Sequence, residues 1–235
     1  MRDYKILDMH GHFLPGMDDG SRSVQESLAM LKAATEQGIS VMCATPHYYP
    51  VETVGAFLER RQASVDLLEQ ALEGQDVPEI LLGAEVAYRH GIGNAEELDR
   101  LCLGGTRYLL LELPFAPWDN MMFRDIGNLS NVRGMIPVIA HIERYLPMQK
   151  PETVYKLLEQ DVLIQMNASA LLDWRTKGKA LRMLKNGTVQ ILGSDCHNMT
   201  TRKPNMGQAL AYLEKKELYG VLSRMEQYTQ EIIGD

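Results

Sequence analysis

The sequence predicts an α/β fold, a closed or nearly closed parallel barrel of seven strand–helix units in a single domain over residues 1–235. Two observations carry this. Short, nearly all-apolar runs recur along the chain, each followed by a segment of helical period, which is the pattern of parallel strands buried beneath helices. A histidine, carboxylate or amide then stands where each run ends, as it would if those ends converged on one face of a barrel. A chain of 235 residues suits one α/β barrel. No Gly-x-Gly-x-x-Gly follows the first run, which disfavours dinucleotide binding. An open, doubly wound sheet has the same periodicity and stays the alternative.

The elements follow in order. Tyr4-Lys5-Ile6-Leu7 opens the first strand, which leads into Asp8-Met9-His10-Gly11-His12. Side chains alternate along a strand, so His10 and His12 face the same way about 6–7 Å apart, a spacing that suits one metal ion. Ser23-Val24-Gln25-Glu26 reads as a capping box, with Val24, Leu28 and Leu31 on one face and Gly38 as the stop. Ile39 to Thr45 is the second strand, ending at Pro46-His47, and an amphipathic helix follows from Thr53 to Leu72. Ile80 to Ala84 is the third strand, ending at Glu85, and Asn94 caps a short helix through Leu101. Tyr108 to Leu111 ends at Glu112, before an irregular, Met-rich segment that holds a helix between Pro117 and Asn131. Met135 to Ala140 ends at His141, and Pro151 starts a helix in the first-turn position that proline tolerates. Val162 to Met166 ends at Asn167, and helical segments run to Lys185. Val189 to Leu192 leads to Asp195 and His197, and helices over 206–216 and 218–232 close the chain.

Composition narrows the function. A net charge of −7 argues against a nucleic-acid binder, which needs a basic surface. The three cysteines, Cys43, Cys102 and Cys196, have no spacing that suggests a disulfide framework or a thiolate metal site. No apolar stretch is long enough to span a membrane and no signal-peptide run opens the chain, so direct membrane insertion is not expected and a cytoplasmic location is.

Five of the six histidines stand at strand ends, together with Glu85, Glu112, Asn167 and Asp195. Imidazole and carboxylate without paired thiolates suit Mn²⁺, Fe²⁺ or Zn²⁺ better than Ca²⁺. So many donors exceed the four that one structural zinc takes, which points to two or three ions.

In order along the chain, Asp8-Met9-His10-Gly11-His12, the Leu14-Pro15-Gly16-x-Asp18-Asp19-Gly20 run, Thr45-Pro46-His47, Gly83-x-Glu85, Leu111-Glu112-Leu113-Pro114, Ala140-His141-Ile142-Glu143-Arg144-Tyr145, Gln165-x-Asn167 and Gly193-Ser194-Asp195-x-His197 resemble the polymerase-and-histidinol-phosphatase (PHP) superfamily. More narrowly, they resemble its manganese-dependent protein-tyrosine phosphatases from bacterial capsule and exopolysaccharide loci. Gly11 departs from the pattern, in which a larger residue stands between the histidines. The resemblance implies a distorted (β/α)7 barrel of the PHP type with a trinuclear site. It implies that His10, His12, Glu85 and Asp195 hold a first ion, that Glu85 bridges to a second held by Glu112 and His141, and that Asp18, His47 and His197 hold a third. Asp8 and Asn167 would support these ligands, Arg144 and Arg202 would be the catalytic arginines, and Mn²⁺ the ion. The implied substrate is the phosphotyrosine-bearing tail of a bacterial tyrosine kinase governing polysaccharide export.

Phosphate-ester hydrolysis needs a basic water and neutralised phosphoryl charge, and metals with arginine forks supply both. A tyrosine leaving group, with a pKa of about 10, asks little of a general acid. Phe115, Trp118 and Phe123 are candidates for an apolar rim around the phosphotyrosine ring. Cys196 and Arg202 have the spacing of a thiol-dependent phosphatase loop, but the intervening residues lack the glycines such a loop needs, and the spacing reads as coincidence. His90 reads as a solvated loop residue with a lesser claim on substrate contact. Three other readings stay open: a PHP phosphoesterase for histidinol phosphate or nucleotides, a metal-dependent amidohydrolase, and a non-enzymatic module that sequesters a kinase tail.

Overall fold

The computed structural model describes residues 5–233, so Tyr4 of the expected first strand lies outside the described residues. Among the described residues nine strands form: β1 (Leu7–Gly11), β2 (Val41–Ala44), β3 (His47–Tyr48), β4 (Glu79–Leu82), β5 (Glu85–Ala87), β6 (Tyr108–Glu112), β7 (Ile136–Ile139), β8 (Leu163–Asn167) and β9 (Ile191–Gly193). Eight helices accompany them: α1 (Val24–Glu36), α2 (Val54–Leu72), α3 (Asn120–Asn131), α4 (Pro151–Leu158), α5 (Ser169–Leu172), α6 (Lys177–Lys185), α7 (Met206–Lys215) and α8 (Tyr219–Ile233). Every strand pairing is parallel.

The nine strands make seven staves. β2 and β3 are one stave interrupted at Thr45-Pro46, and β4 and β5 are another interrupted at Gly83-Ala84. The register runs unbroken through both gaps: Val41 pairs with Glu79 before them and His47 with Glu85 after them. Gly83 N donates to Ala44 O and Glu85 N to Pro46 O across the interruption. The wall closes between its first and last staves, where His12 N donates to Cys196 O and Asp195 N to His10 O, both at 2.8 Å. This is the parallel α/β barrel of the sequence expectation, and the open-sheet alternative falls.

Strand alternation sorts the core into two sets. Met42, Ala44, Leu109, Leu111 and Ile139 pack with the buried stripes of the helices and form the shell between barrel and helices. Val41, Cys43, Tyr108, Leu110 and Val138, their neighbours in sequence, join Leu7 and Ile191 in a smaller set with Ile232 of α8. Each buried aliphatic side chain contributes about 1.5–3 kcal/mol.

Some local expectations need correcting. Ser23 does cap α1, its Oγ accepting from Glu26 N, but the Glu26 carboxylate accepts from Arg22 N and Met199 N and thereby ties the helix start to the last site loop. The buried stripe of α1 is Ser27, Met30, Leu31 and Ala34, with Val24 and Leu28 at its margin. Glu85 opens β5 and does not terminate a strand. Asn94 caps nothing: it closes a 3₁₀ turn over Ile92–Asn94, followed by similar turns over Leu98–Leu101 and Leu103–Gly105. Left-handed residues precede the first two turns, at Gly91 and Glu97, extended residues end them, at Ala95 and Cys102, and Gly104 breaks the third, so no α-helix propagates. At Gly11, the volume of the missing side chain is filled by Met42, whose Cε lies 2.8 Å from where a Cβ would stand.

Gly193 marks the closest approach of β9 to β1, since a Cβ there would lie 2.6 Å from His10 Cβ and 2.9 Å from Gln165 Nε2. Gly193→Ala is expected to cost about 1–3 kcal/mol, read as a lower midpoint in chemical denaturation. An unchanged midpoint would mean that the two staves are not pressed together.

Candidate metal centre

The residues expected at strand ends gather at one end of the barrel. His10 and His12 leave β1 with their Nε2 atoms 3.0 Å apart. Glu85 Oε2 lies 3.2 Å from His10 Nε2, 3.3 Å from His12 Nε2 and 3.0 Å from His47 Nδ1. Its other oxygen, Oε1, lies 2.9 Å from His141 Nε2, which is also 3.4 Å from Glu112 Oε1. Asp195 Oδ1 completes the first side, 3.6 Å from His10 Nε2 and 3.7 Å from His12 Nε2. His10, His12, Glu85, His141, Asp195 and His197 are all buried.

Asp18 does not face the cluster as the resemblance implies, whereas Asp19, to which no role was assigned, does. Asp18 Oδ2 accepts from His12 Nδ1 at 2.7 Å and from the His47 backbone N at 2.9 Å, so it stands behind the imidazoles. Asp19 Oδ1 instead lies 3.4 Å from both His47 Nε2 and His197 Nε2. The donors that converge within 4.8 Å of one another are therefore His12, Asp19, His47 and His197 in one group, His10, His12 and Asp195 in a second, and His47, Glu85 and Glu112 in a third.

These donors fit divalent ions. The bond to Asp18 commits His12 Nδ1 to that carboxylate, so Nε2, the nitrogen turned to the cluster, is the one an ion would take in place of a proton. His197 does the same by donating Nδ1 to Asp195 O at 3.0 Å, and its buried Nε2 has no hydrogen-bond partner. Burial alone would lower His12 and His141, but hydrogen bonds to Asp18 and Glu85, and to Glu112 and Glu85, outweigh it and hold them up at about 10 and about 9. Burial and the facing His12 push His197 down to about 4. Burial works against the charge on Glu85 and Asp195 too, yet the histidines around both, and Arg144 beside Asp195, keep each carboxyl well below its usual range.

A second layer fixes these donors. Asp8, fully buried and pushed up to about 6 by burial, accepts from Ser194 N and anchors the β9 end to β1. Asn167 Nδ2 donates to Asp195 Oδ2 at 2.8 Å, and Gln165 Oε1 accepts from His141 N at 2.6 Å. Gln165 was missed as a contributor, although it stands two positions before Asn167 on the same strand face. Arg144 and Arg202 grip opposite oxygens of Asp195, Nη2 of each lying 2.5 Å and 2.6 Å away.

The expected rim divides. Phe115 is 52% exposed and stacks on His141, centroids 5.9 Å apart and planes 20° apart. Trp118 and Phe123 are buried; Trp118 donates Nε1 to Pro114 O and meets Tyr145 edge-on, while Phe123 carries the Lys156 ammonium over its ring. They are core residues beneath the rim. Tyr49, missed in the sequence, is 49% exposed and stacks on His47 at 5.5 Å and 26°. His90 is exposed, its Nδ1 beside the Tyr88 hydroxyl and its Nε2 3.6 Å from Asp119, which caps α3.

Fold and site together define a parallel α/β barrel with a cluster of imidazoles and carboxylates at its mouth that could hold metal ions. The chain belongs to the CpsB/CapC family, described as capsular polysaccharide synthesis, whose model matches residues 6–232. It is 32% identical over 224 residues to the tyrosine-protein phosphatase YwqE of Bacillus subtilis, covering 90% of this chain and 85% of that one. It is 27% identical over 240 residues to the tyrosine-protein phosphatase CpsB of Streptococcus pneumoniae, covering 95% of each. A crystal structure from work on these two proteins, described there as unique metal-dependent tyrosine phosphatases, matches with a TM-score of 0.78 and 31% identity over 90% of this chain and 87% of that one. The fold alone is shared with a histidinol phosphatase, itself putative, from Listeria monocytogenes, at a TM-score of 0.50 and 12% identity over 82% of this chain and 95% of that one.

All three cysteines are free and buried, and burial pushes every thiol up, Cys102 to about 12 and Cys43 and Cys196 further. The folded protein should therefore resist a thiol-titrating disulfide reagent at pH 8, with all three cysteines reacting once it is denatured. Rapid labelling of native Cys196 would reopen the thiol reading of the Cys196–Arg202 spacing.

Proposed function

We propose that this chain is a metal-dependent protein-tyrosine phosphatase acting on the phosphorylated tail of a bacterial tyrosine kinase in capsule or exopolysaccharide synthesis. The observation that carries it is the convergence of histidines and carboxylates on Glu85, with Arg144 and Arg202 alongside, in a member of the CpsB/CapC family. His10, His12, Glu85 and Asp195 would hold one ion, Glu85, Glu112 and His141 a second, and Asp19, His47 and His197 a third. Mn²⁺ is the ion we favour, with Fe²⁺ and Zn²⁺ as competitors for the same donors. Bound ions would make water basic at neutral pH and offset charge on the phosphoryl oxygens.

The chain's own residues do the rest. Asp18 fixes the His12 tautomer, and Asn167 holds the Asp195 carboxylate in place. Arg144 and Arg202 each spend one nitrogen on Asp195, which leaves further N–H groups for phosphate oxygens. Phe115 and Tyr49, each stacked on a site histidine and half exposed, offer aromatic surface to the substrate ring. No helix among the described residues is long and apolar enough to cross a membrane, in keeping with a cytoplasmic location.

Hydrolysis of a phosphotyrosyl peptide should be abolished by a chelator and restored by Mn²⁺, and should exceed that of histidinol phosphate. Asp19→Ala should lower the metal bound per chain by one ion in elemental analysis, whereas Asp18→Asn should weaken binding without removing a ligand. Equal loss from both variants would return Asp18 to the ligand set. Cys196→Ser should keep its activity.

Phe115→Ala should raise KM for aryl phosphates several-fold at an unchanged kcat, since each aromatic contact contributes about 0.5–1.5 kcal/mol. Trp118→Ala should instead lower the melting temperature. An unchanged KM in the Phe115 variant would remove it from the substrate site.

A further inference from the structure

Beyond the metal centre, one surface has a charge opposite to that of the molecule. Residues 172–179 are an uninterrupted exposed run, Leu172-Asp173-Trp174-Arg175-Thr176-Lys177-Gly178-Lys179, between α5 and the first turn of α6. With Arg182 and Lys185, also exposed, this stretch sets five basic side chains against one carboxylate, in a chain of net charge −7. Among the described residues, no carboxylate lies within ion-pair distance of any of the five. α6 turns its own apolar positions, Ala180, Met183 and Leu184, into the core, so its cations are not the polar back of an unpartnered helix. Trp174 is 74% exposed and has the Arg175 guanidinium 5.3 Å from its ring centroid, which presents an indole and a fixed cation side by side.

The strip starts at the site. β8 ends at Asn167, which holds Asp195, and α5 follows directly. α5 packs on α7, whose preceding loop carries Arg202. Trp174 is only seven positions beyond Asn167, so at most about 25 Å of extended chain separates them. An extended peptide of similar length could span from the metals to the strip.

We propose that Trp174, Arg175, Lys177 and Lys179 form a docking site for a multiply tyrosine-phosphorylated segment, which they hold by its further phosphotyrosines while one is hydrolysed at the metals. This rests on the phosphatase reading and deepens it. The partner chemistry follows from the strip itself: cations with no ion-pair partner among the described residues call for several negative charges, and an exposed indole calls for aromatic rings. Phosphotyrosine supplies both at once. An anionic lipid surface would satisfy the charge and the indole differently, and it is one outcome of the test.

The test compares a singly and a triply phosphorylated peptide of one sequence, with p-nitrophenyl phosphate as the small substrate. It uses the wild type, Trp174→Ala, and the combined Arg175→Glu, Lys177→Glu, Lys179→Glu variant. The wild type should prefer the triply phosphorylated peptide by about tenfold in kcat/KM, from several exposed charge contacts acting together. The preference should reside in KM and shrink with added salt. Both variants should lose most of it while keeping wild-type turnover of p-nitrophenyl phosphate. Equal kcat/KM for the two peptides in the wild type, or a preference that survives charge reversal, overturns the proposal. So does a charge-reversed variant that loses only its sedimentation with phosphatidylserine vesicles, which would assign the strip to lipid. Failure of the wild type on every phosphate ester would instead strike the phosphatase reading, and binding of a non-hydrolysable triple phosphonate peptide to the same proteins would still decide whether the strip docks it.

Discussion

Glu85 is the carboxylate on which the site depends. Four imidazoles from three staves, His10, His12, His47 and His141, lie within 3.3 Å of its two oxygens. A buried charge so surrounded is tolerable only if its partners stay in place, because removing one side leaves the other charged and unpaired. The backbone provides for this at Gly83-Ala84, where the stave is interrupted just before Glu85. A Cβ at Gly83 would lie 2.5 Å from Leu103 Cδ2, so glycine allows the 3₁₀ segment to press against the interruption. Arg61 donates to the freed Gly83 carbonyl at 2.6 Å. The interruption in the adjacent stave at Pro46 falls beside it, and His47 and Glu85 emerge as a register pair.

Two other donor residues of the cluster carry backbone strain. His141 has φ 31° and ψ 56°, and Asp195 has φ 53°, left-handed values that cost a non-glycine residue about 1–3 kcal/mol each. Each stands two positions past the end of its strand, where the chain must turn sharply for the side chain to stay over the barrel mouth. Local bonds hold them there: Gln165 takes the His141 N–H, and Asp195 N donates to His10 O. The strain is therefore balanced by the contacts that close the barrel.

What the sequence made legible was the periodic part. Apolar runs located all seven staves, and the polar residue after each run located His10, His12, Glu112, His141, Asn167, Asp195 and His197, because a stave end is where burial gives way to chemistry. Interruptions inside a stave were not legible: Pro46 looks like a terminator and Gly83 like part of an unbroken strand, and only cross-strand register shows where the ladder breaks and resumes. Asp18 and Asp19 were inseparable for a related reason. In an irregular loop no period says which neighbour faces inward, and the choice is made by the turn in which Gly20 N donates to Asp18 Oδ1. A Cβ at Gly20 would lie within van der Waals overlap of the His12 carbonyl, so this turn can form only with glycine there. Trp118 and Phe123 were misread because aromatic residues after a strand look the same whether they line the mouth or pack beneath it.

The different placements of Asp18 and Asp19 also explain why two adjacent acids are needed. A carboxylate behind an imidazole fixes its tautomer and raises its basicity, whereas one in front of it competes for the same cation or completes the ligand set. Asp18 is held well below the usual carboxylate range, since the His12 hydrogen bond and charge outweigh its burial, and it also accepts from the backbone of His47. It thus fixes one imidazole ring directly and another through its main chain. Asp19 is exposed at the mouth and meets His47 and His197 from the solvent side. With Asp18 behind and Asp19 in front, the loop after β1 links the deeply buried pair on Glu85 to the outermost pair of histidines. That linkage makes the three donor groups a continuous centre across the mouth of the barrel.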